Sequence, residues 1–251
     1  MHEQGPQRDK TMKAADLKIK IFADGANLDT MKEQAKNPLI SGFTTNPSLV
    51  KAAGVTDYKA YALEVFAAIP DKPISFEVFA DDLPTMEAQA REIATWSPNV
   101  NVKIPVTNTK GESLVPVIER LSAAGVALNI TALYTVGQVR DITNAVHADT
   151  PSILSVFAGR LGDTGHDPTP VMEESVQVVA AKPKAELLWA STREVFNVIQ
   201  ADRMGCHIIT APDSVISKLG GLGKDPLQNS LDTVKAFYAD ATAAGFDIPV
   251  A

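Results

Sequence analysis

The chain has 251 residues, 45% hydrophobic and 21% charged, enough for one large domain or two small ones. Its formal charge of −7 argues against a general nucleic-acid binder but leaves room for a local basic site that takes an anionic small molecule. A single cysteine, Cys206, excludes an intramolecular disulfide and suits the cytosol, and no apolar run approaches the ~20 residues of a membrane span.

Residues 1–16 are polar and mixed in charge, without the apolar core of a signal peptide, and read as a flexible leader. From there β-branched or alternating stretches predict strands over 18–24, 42–46, 73–80, 99–107, 126–133, 152–158, 185–191 and 206–211. Helical spacing of apolar residues, with proline or glycine punctuation, predicts helices over 28–35, 57–68, 83–95, 113–124, 136–147, 170–181, 194–204 and 213–219. An additional C-terminal helix over 227–244 carries Leu231, Val234, Phe237, Tyr238 and Ala241 at helical spacing, to pack on its own barrel or on a neighbour. Units of about 30 residues with no linker between them favour one closed parallel (β/α)8 barrel, spanning 17–251 with the last helix included, over an open sheet or two domains.

In such a barrel the loops after the strands converge on one pocket, so polar residues at the strands' C-terminal ends are the candidates. These are Asp24, then Thr44, Thr45 and Asn46, then Glu77, Lys103, Asn129 with Thr131, Ser155 with Arg160, and Ser191 with Arg193; Thr210 ends the eighth strand and offers little. Lys103 is the anomaly among them. Val100, Val102, Ile104 and Val106 share one face of its strand, so Asn101, Lys103 and Pro105 point the other way. An ammonium on an enclosed face is either paired with a buried carboxylate, for which Glu77 is placed, or used as an amine nucleophile. Carboxylates beside an amine suit imine chemistry on a ketone, with the protonated imine as electron sink. Other readings stay open for the rest: Asp24 before Gly25 also fits a turn, Thr44–Ser48 a helix start, and the arginines either solvated charges or a phosphate clamp. The four histidines are scattered, and Asp163, His166 and Asp167 read as a polar loop, so no metal site is expected.

Phe43-Thr44-Thr45-Asn46-Pro47-Ser48 and Val102-Lys103-Ile104-Pro105-Val106-Thr107 closely resemble the two signature stretches of the transaldolase family, and the resemblance extends over about 19–219. It implies a class I enzyme that moves a dihydroxyacetone unit between sugar phosphates through a lysine Schiff base, without metal or organic cofactor. By motif, Lys103 looks like the Schiff-base lysine and Asp24 like the carboxylate that takes and returns the proton at the hydroxyl next to the cleaved bond. Glu77 and Thr131 would hold and activate the water of imine formation and hydrolysis. Thr45, Asn46, Asn129, Ser155 and Phe157 would line the substrate, and Arg160, Ser191 and Arg193 would grip its phosphate. The resemblance also implies a cytoplasmic homo-oligomer of the pentose phosphate pathway, with small sugar phosphates as partners and neither nucleic acid nor membrane.

Relatives that act as simple aldolases resemble one another in carrying glutamine at the position of Glu77 and tyrosine at that of Phe157, so this chain looks like the transferase branch. A fructose-6-phosphate-type aldolase and a transaldolase for another anionic ketose, such as a sulfosugar, are the alternatives. Gly25, where threonine or serine is frequent, and Thr192, where a larger residue is usual, leave the donor sugar open. A non-catalytic ligand-binding barrel and a metal-dependent sugar-phosphate enzyme are the readings from other classes.

Overall fold

The structure is a computed structural model that describes residues 13–250. Leu17–Ser217 form one compact unit and the described flanks, 13–16 and 218–250, group as a second. The leader expected over 1–16 therefore falls mostly outside the described residues.

The larger unit runs β1 (Lys20–Asp24), α1 (Leu28–Ala35), β2 (Ile40–Thr44), α2 (Pro47–Ala52), α3 (Tyr58–Ala68), β3 (Ile74–Glu77), α4 (Leu83–Ile93), β4 (Val100–Pro105) and α5 (Val115–Ala123). It continues with β5 (Leu128–Leu133), α6 (Val136–Ala145), β6 (Ser152–Val156), α7 (Ala158–Asp163), α8 (Thr169–Val179), β7 (Ala185–Trp189), α9 (Val195–Arg203), β8 (Ile208–Ala211) and α10 (Asp213–Ile216). The strands close a parallel barrel in sequence order, β1 pairing with both β2 and β8. The (β/α)8 architecture is thus as the spacing predicts.

Helix starts follow local chemistry. Asn27, Asn46, Asp57 and Asp82 each accept a backbone N–H in the first turn of the helix that follows, which satisfies one of its four free donors. Two short helices, α2 and α7, are absent from the periodicity. Pro47 does not merely end a strand; with Asn46 as cap it occupies the first helical turn, where its fixed φ is favourable. Helix α7 contains Gly159 and Gly162, whose low propensity hides it from pattern reading.

Inside the barrel Phe22, Ile153, Leu188, Ala190 and Ile208 form an apolar cluster, against which Phe157 packs. Gly42 makes room for it, since a Cβ there would stand 2.7 Å from the Phe22 ring. Beside the cluster runs a chain of buried polar side chains: Asn129 Nδ2 donates to Ser75 Oγ at 2.9 Å, and Ser155 Oγ donates to Asn129 Oδ1 at 2.6 Å. The outward strand residues Phe76, Val102, Ile104, Leu128 and Ile130 are wholly buried, as are Val117, Ile118 and Leu121 of α5. The second unit holds helix α11 (Pro226–Ala243), capped by Asp225, whose carboxylate accepts the Leu227 and Gln228 N–H groups. Its Leu231, Val234, Phe237 and Tyr238 are exposed. No helix among the described residues is long and apolar enough to cross a membrane.

Candidate active site

The register of the strands assembles the site. Glu77 on β3 is opposite Lys103 on β4, which is opposite Asn129 on β5, and one step further Pro105 is opposite Thr131. Residues side by side on adjacent parallel strands point to the same face. The inward face of β4 is the one carrying Lys103, as the alternation predicts. The resulting cavity measures about 540 Å³ at the C-terminal end of the barrel. Its wall includes Asp24, Asn46, Glu77, Lys103, Asn129, Thr131, Ser155, Phe157, Arg160, Ser191 and Arg193, drawn from seven strands or the loops after them.

Thr45 is different. Its side chain is buried and donates to the Ser75 carbonyl at 2.8 Å, outside the cavity wall, so its expected contact with substrate has no geometric basis. It is the Thr45 carbonyl that matters, since it accepts from Lys103 Nζ at 2.8 Å. Asn46 spends its Oδ1 on the Leu49 N–H as a helix cap, leaving its Nδ2 donors for a ligand.

Lys103 Nζ lies 3.4 Å from Glu77 Oε2, with only 9% and 16% of the two side chains exposed. The ion-pair reading and the nucleophile reading are therefore compatible: the carboxylate partners the amine and is also within reach of its protons. Burial pushes the Asp24 carboxyl above its ordinary range, against the opposing pull of a hydrogen bond from Thr44 and of the Lys103 charge. Thr44 Oγ1 donates to Asp24 Oδ1 at 2.8 Å and lies 2.5 Å from Thr210 Oγ1. A hydroxyl has one proton, so with Thr44 donating to Asp24, Thr210 must donate to Thr44. The buried Thr131 Oγ1 has no hydrogen-bond partner among the described residues. Ala132 next to it takes a left-handed φ of 61°, at a register shift between β5 and β6.

Two residues that sequence reasoning passes over belong to this site. Thr210 completes the hydroxyl chain to Asp24 and lines the cavity. Tyr58, on α3, accepts the Glu77 N–H at 2.8 Å and donates to the Glu77 carbonyl at 3.2 Å, clamping that residue's backbone from both sides. Burial pushes its phenol well above the ordinary range, so it stays a neutral donor. No sequence signal marks Tyr58, because helical periodicity makes it one more apolar residue.

At the rim, the Arg160 guanidinium stacks over Phe157, 5.1 Å from the ring centroid. Arg193 pairs with Asp163 through Nε and Nη2. Ser191 has a left-handed φ of 62°. No group of three or more potential metal ligands occurs among the described residues; Asp167 accepts the Thr169 N–H and His166 Nδ1 bonds Thr164.

The sequence profile of the transaldolase/fructose-6-phosphate aldolase family matches residues 21–249. The chain belongs to that family. It is 36% identical over 202 residues to a "Probable transaldolase" of Dehalococcoides mccartyi, covering 80% of this chain and 90% of that one. A "Probable transaldolase" of Thermoanaerobacter is 34% identical over 231 residues, covering 92% of this chain and all of the relative. Among solved structures, KGPDC from Streptococcus mutans aligns with a TM-score of 0.54 at 9% identity, over 82% of this chain and 94% of that one. That likeness concerns the barrel alone.

Proposed function

We propose that the protein is a transaldolase that carries a dihydroxyacetone unit from a ketose phosphate to an aldose phosphate through a Schiff base on Lys103. The observation that carries this reading is a buried lysine amine bracketed, within one cavity, by Glu77 at 3.4 Å and by an Asp24 carboxyl whose proton affinity burial has raised. The amine attacks the ketone, and Glu77 with Thr131 handles the water that leaves. An unpaired buried hydroxyl costs about 1–3 kcal/mol, so the Thr131 Oγ1 is best satisfied by what enters the cavity. Asp24 then removes the proton of the hydroxyl beside the scissile C–C bond; the bond's electron pair passes into the protonated imine and an aldehyde leaves. Asp24 returns the proton when the acceptor aldehyde adds. Asn46, Asn129 and Ser155 face the sugar hydroxyls, and Arg160, Ser191 and Arg193 face the phosphate. Glu77 and Phe157 favour transfer over release of free dihydroxyacetone.

The test is borohydride reduction with fructose 6-phosphate followed by mass spectrometry, which should fix the donor's three-carbon fragment or the whole sugar on Lys103. Lys103→Met should abolish the adduct and lower turnover by on the order of 10⁶-fold, the scale seen when a covalent nucleophile is removed, with the helical signal retained. An adduct elsewhere, or none in the parent protein, sinks the Schiff-base reading. Free dihydroxyacetone accumulating in the presence of erythrose 4-phosphate points to the aldolase instead.

A further inference from the structure

The end of the cavity that faces the phosphate in the function proposed above is held by a residue that does not itself line the cavity. Arg193 follows β7, and its backbone N–H is fixed by Asn197 Oδ1 at 3.0 Å. Its side chain reaches Asp163, the last residue of α7: Nε donates to Oδ1 at 3.0 Å and to Oδ2 at 3.1 Å, and Nη2 also donates to Oδ2. A guanidinium has five N–H donors in a planar fork. This pairing uses the Nε proton and one Nη2 proton, so both Nη1 protons and the second Nη2 proton remain. That second edge is itself a bidentate donor matched to two oxygens of an anion.

Helix α7 is also pressed onto the loop that carries Arg193. Gly159 N–H donates to the Ala190 carbonyl at 3.2 Å, and a Cβ on Gly159 would collide with the Ser191 carbonyl at 1.6 Å. Asp163 and the 190–193 loop are therefore in fixed register, with Asp163 outside the cavity wall and Arg193 part of it. We propose that Asp163 is a positioning residue: by holding the Nε edge of Arg193 it turns the Nη1 edge toward the substrate's phosphate, and so sets the preference for phosphorylated sugars.

The inference rests on the transaldolase reading for its substrate but not for its test, because inorganic phosphate binding reads the anion site without turnover. Calorimetry with inorganic phosphate, and KM and kcat with fructose 6-phosphate and erythrose 4-phosphate, are measured for the parent protein, Asp163→Asn, Asp163→Glu, Arg193→Gln and the double variant Asp163→Asn/Arg193→Gln. Expected for Asp163→Asn is about tenfold weaker phosphate binding and a matching rise in KM, with kcat within about twofold. Asp163→Glu should recover affinity to within about threefold, and Asp163→Asn should add nothing once Arg193 is glutamine. Unchanged or tighter phosphate binding in Asp163→Asn overturns the proposal, the latter because it makes Asp163 a competitor for the guanidinium. An undiminished effect of Asp163→Asn in the Arg193→Gln background overturns it too. Absence of any Lys103 adduct in the parent protein defeats the transaldolase reading alone, and the phosphate measurements still decide the role of Asp163.

Discussion

The two ends of the cavity are built by different means. At the floor, Lys103, Asp24 and Glu77 stand on strands and are held by groups that cannot move far: the Thr45 carbonyl, the Thr44 hydroxyl and the Tyr58 clamp. At the rim, Arg160 sits on a six-residue helix and Arg193 on a loop, each held by one side chain, Phe157 or Asp163. The Arg193 and Asp163 side chains are each 49% exposed, so their pairing is screened by water and contributes little to folding. Charges at the floor act at low effective dielectric, whereas those at the rim act near that of solvent. The division implies that floor variants change kcat and rim variants change KM.

The sharpest break of that rule is sought at Asp24. Asp24→Asn keeps the shape and the hydrogen-bond capacity but cannot take a proton. Its kcat should fall by about 10² to 10⁴-fold with KM little changed, the range that a positioned acid–base group supplies. A rise in KM with kcat preserved assigns Asp24 to binding and erases the contrast between the two ends.

Tyr58→Phe asks whether the floor is rigid because of its supports. Deleting the hydroxyl leaves the Glu77 N–H and carbonyl without their partner, at a cost of about 1–3 kcal/mol in urea unfolding. The Glu77 carboxylate then loses its fixed approach to Lys103, and kcat should drop roughly tenfold, since small misplacements of reacting groups are expensive. If stability falls while kcat holds, Tyr58 serves the fold only.

Arg160→Gln probes the other end. One charge-assisted contact to phosphate is worth about 1.5–3 kcal/mol, so KM for fructose 6-phosphate should rise by roughly ten- to a hundredfold while kcat stays within a few-fold. An equal fall in kcat would tie the rim to the chemical step and blur the distinction.

The two ends were also unequally legible in the sequence. Lys103 and Glu77 stand out because the period-two pattern sets a charge on the face that a closed barrel encloses, and parallel pairing then puts them side by side. Arg160 and Arg193 follow from their places after strand ends. What periodicity cannot carry is the direction of a side chain just past a strand's end. Thr45 therefore reads as a ligand contact, although its hydroxyl turns back to Ser75 and only its carbonyl meets the lysine. Tyr58 and Thr210 are missed for the converse reason: nothing in their own segments is unusual, and their roles arise from contacts 19 and 166 residues away in the chain. Asp163, in turn, reads as part of a polar loop until the fold brings Arg193 to it.

Thr44→Val produces the smallest change near neutral pH and the one most diagnostic of the floor. Burial raises the Asp24 carboxyl above its ordinary range, and the hydrogen bond from Thr44 favours the charged form and opposes that rise. In the proposed mechanism proton abstraction needs the carboxylate, so turnover should be lost as pH falls through the raised value. Removing the Thr44 donor lifts that value further, and the acidic limb of the kcat profile should move to higher pH, while the limb disappears in Asp24→Asn. The folding linkage has the matching sign. In the window between the unfolded and folded values the native state binds more protons, so the stability contribution of Asp24 declines as pH rises through it, and Thr44→Val widens that window. A limb that stays put or moves to lower pH in Thr44→Val would detach it from Asp24, leaving the buried carboxylate of the floor as solvent-governed as the charges of the rim.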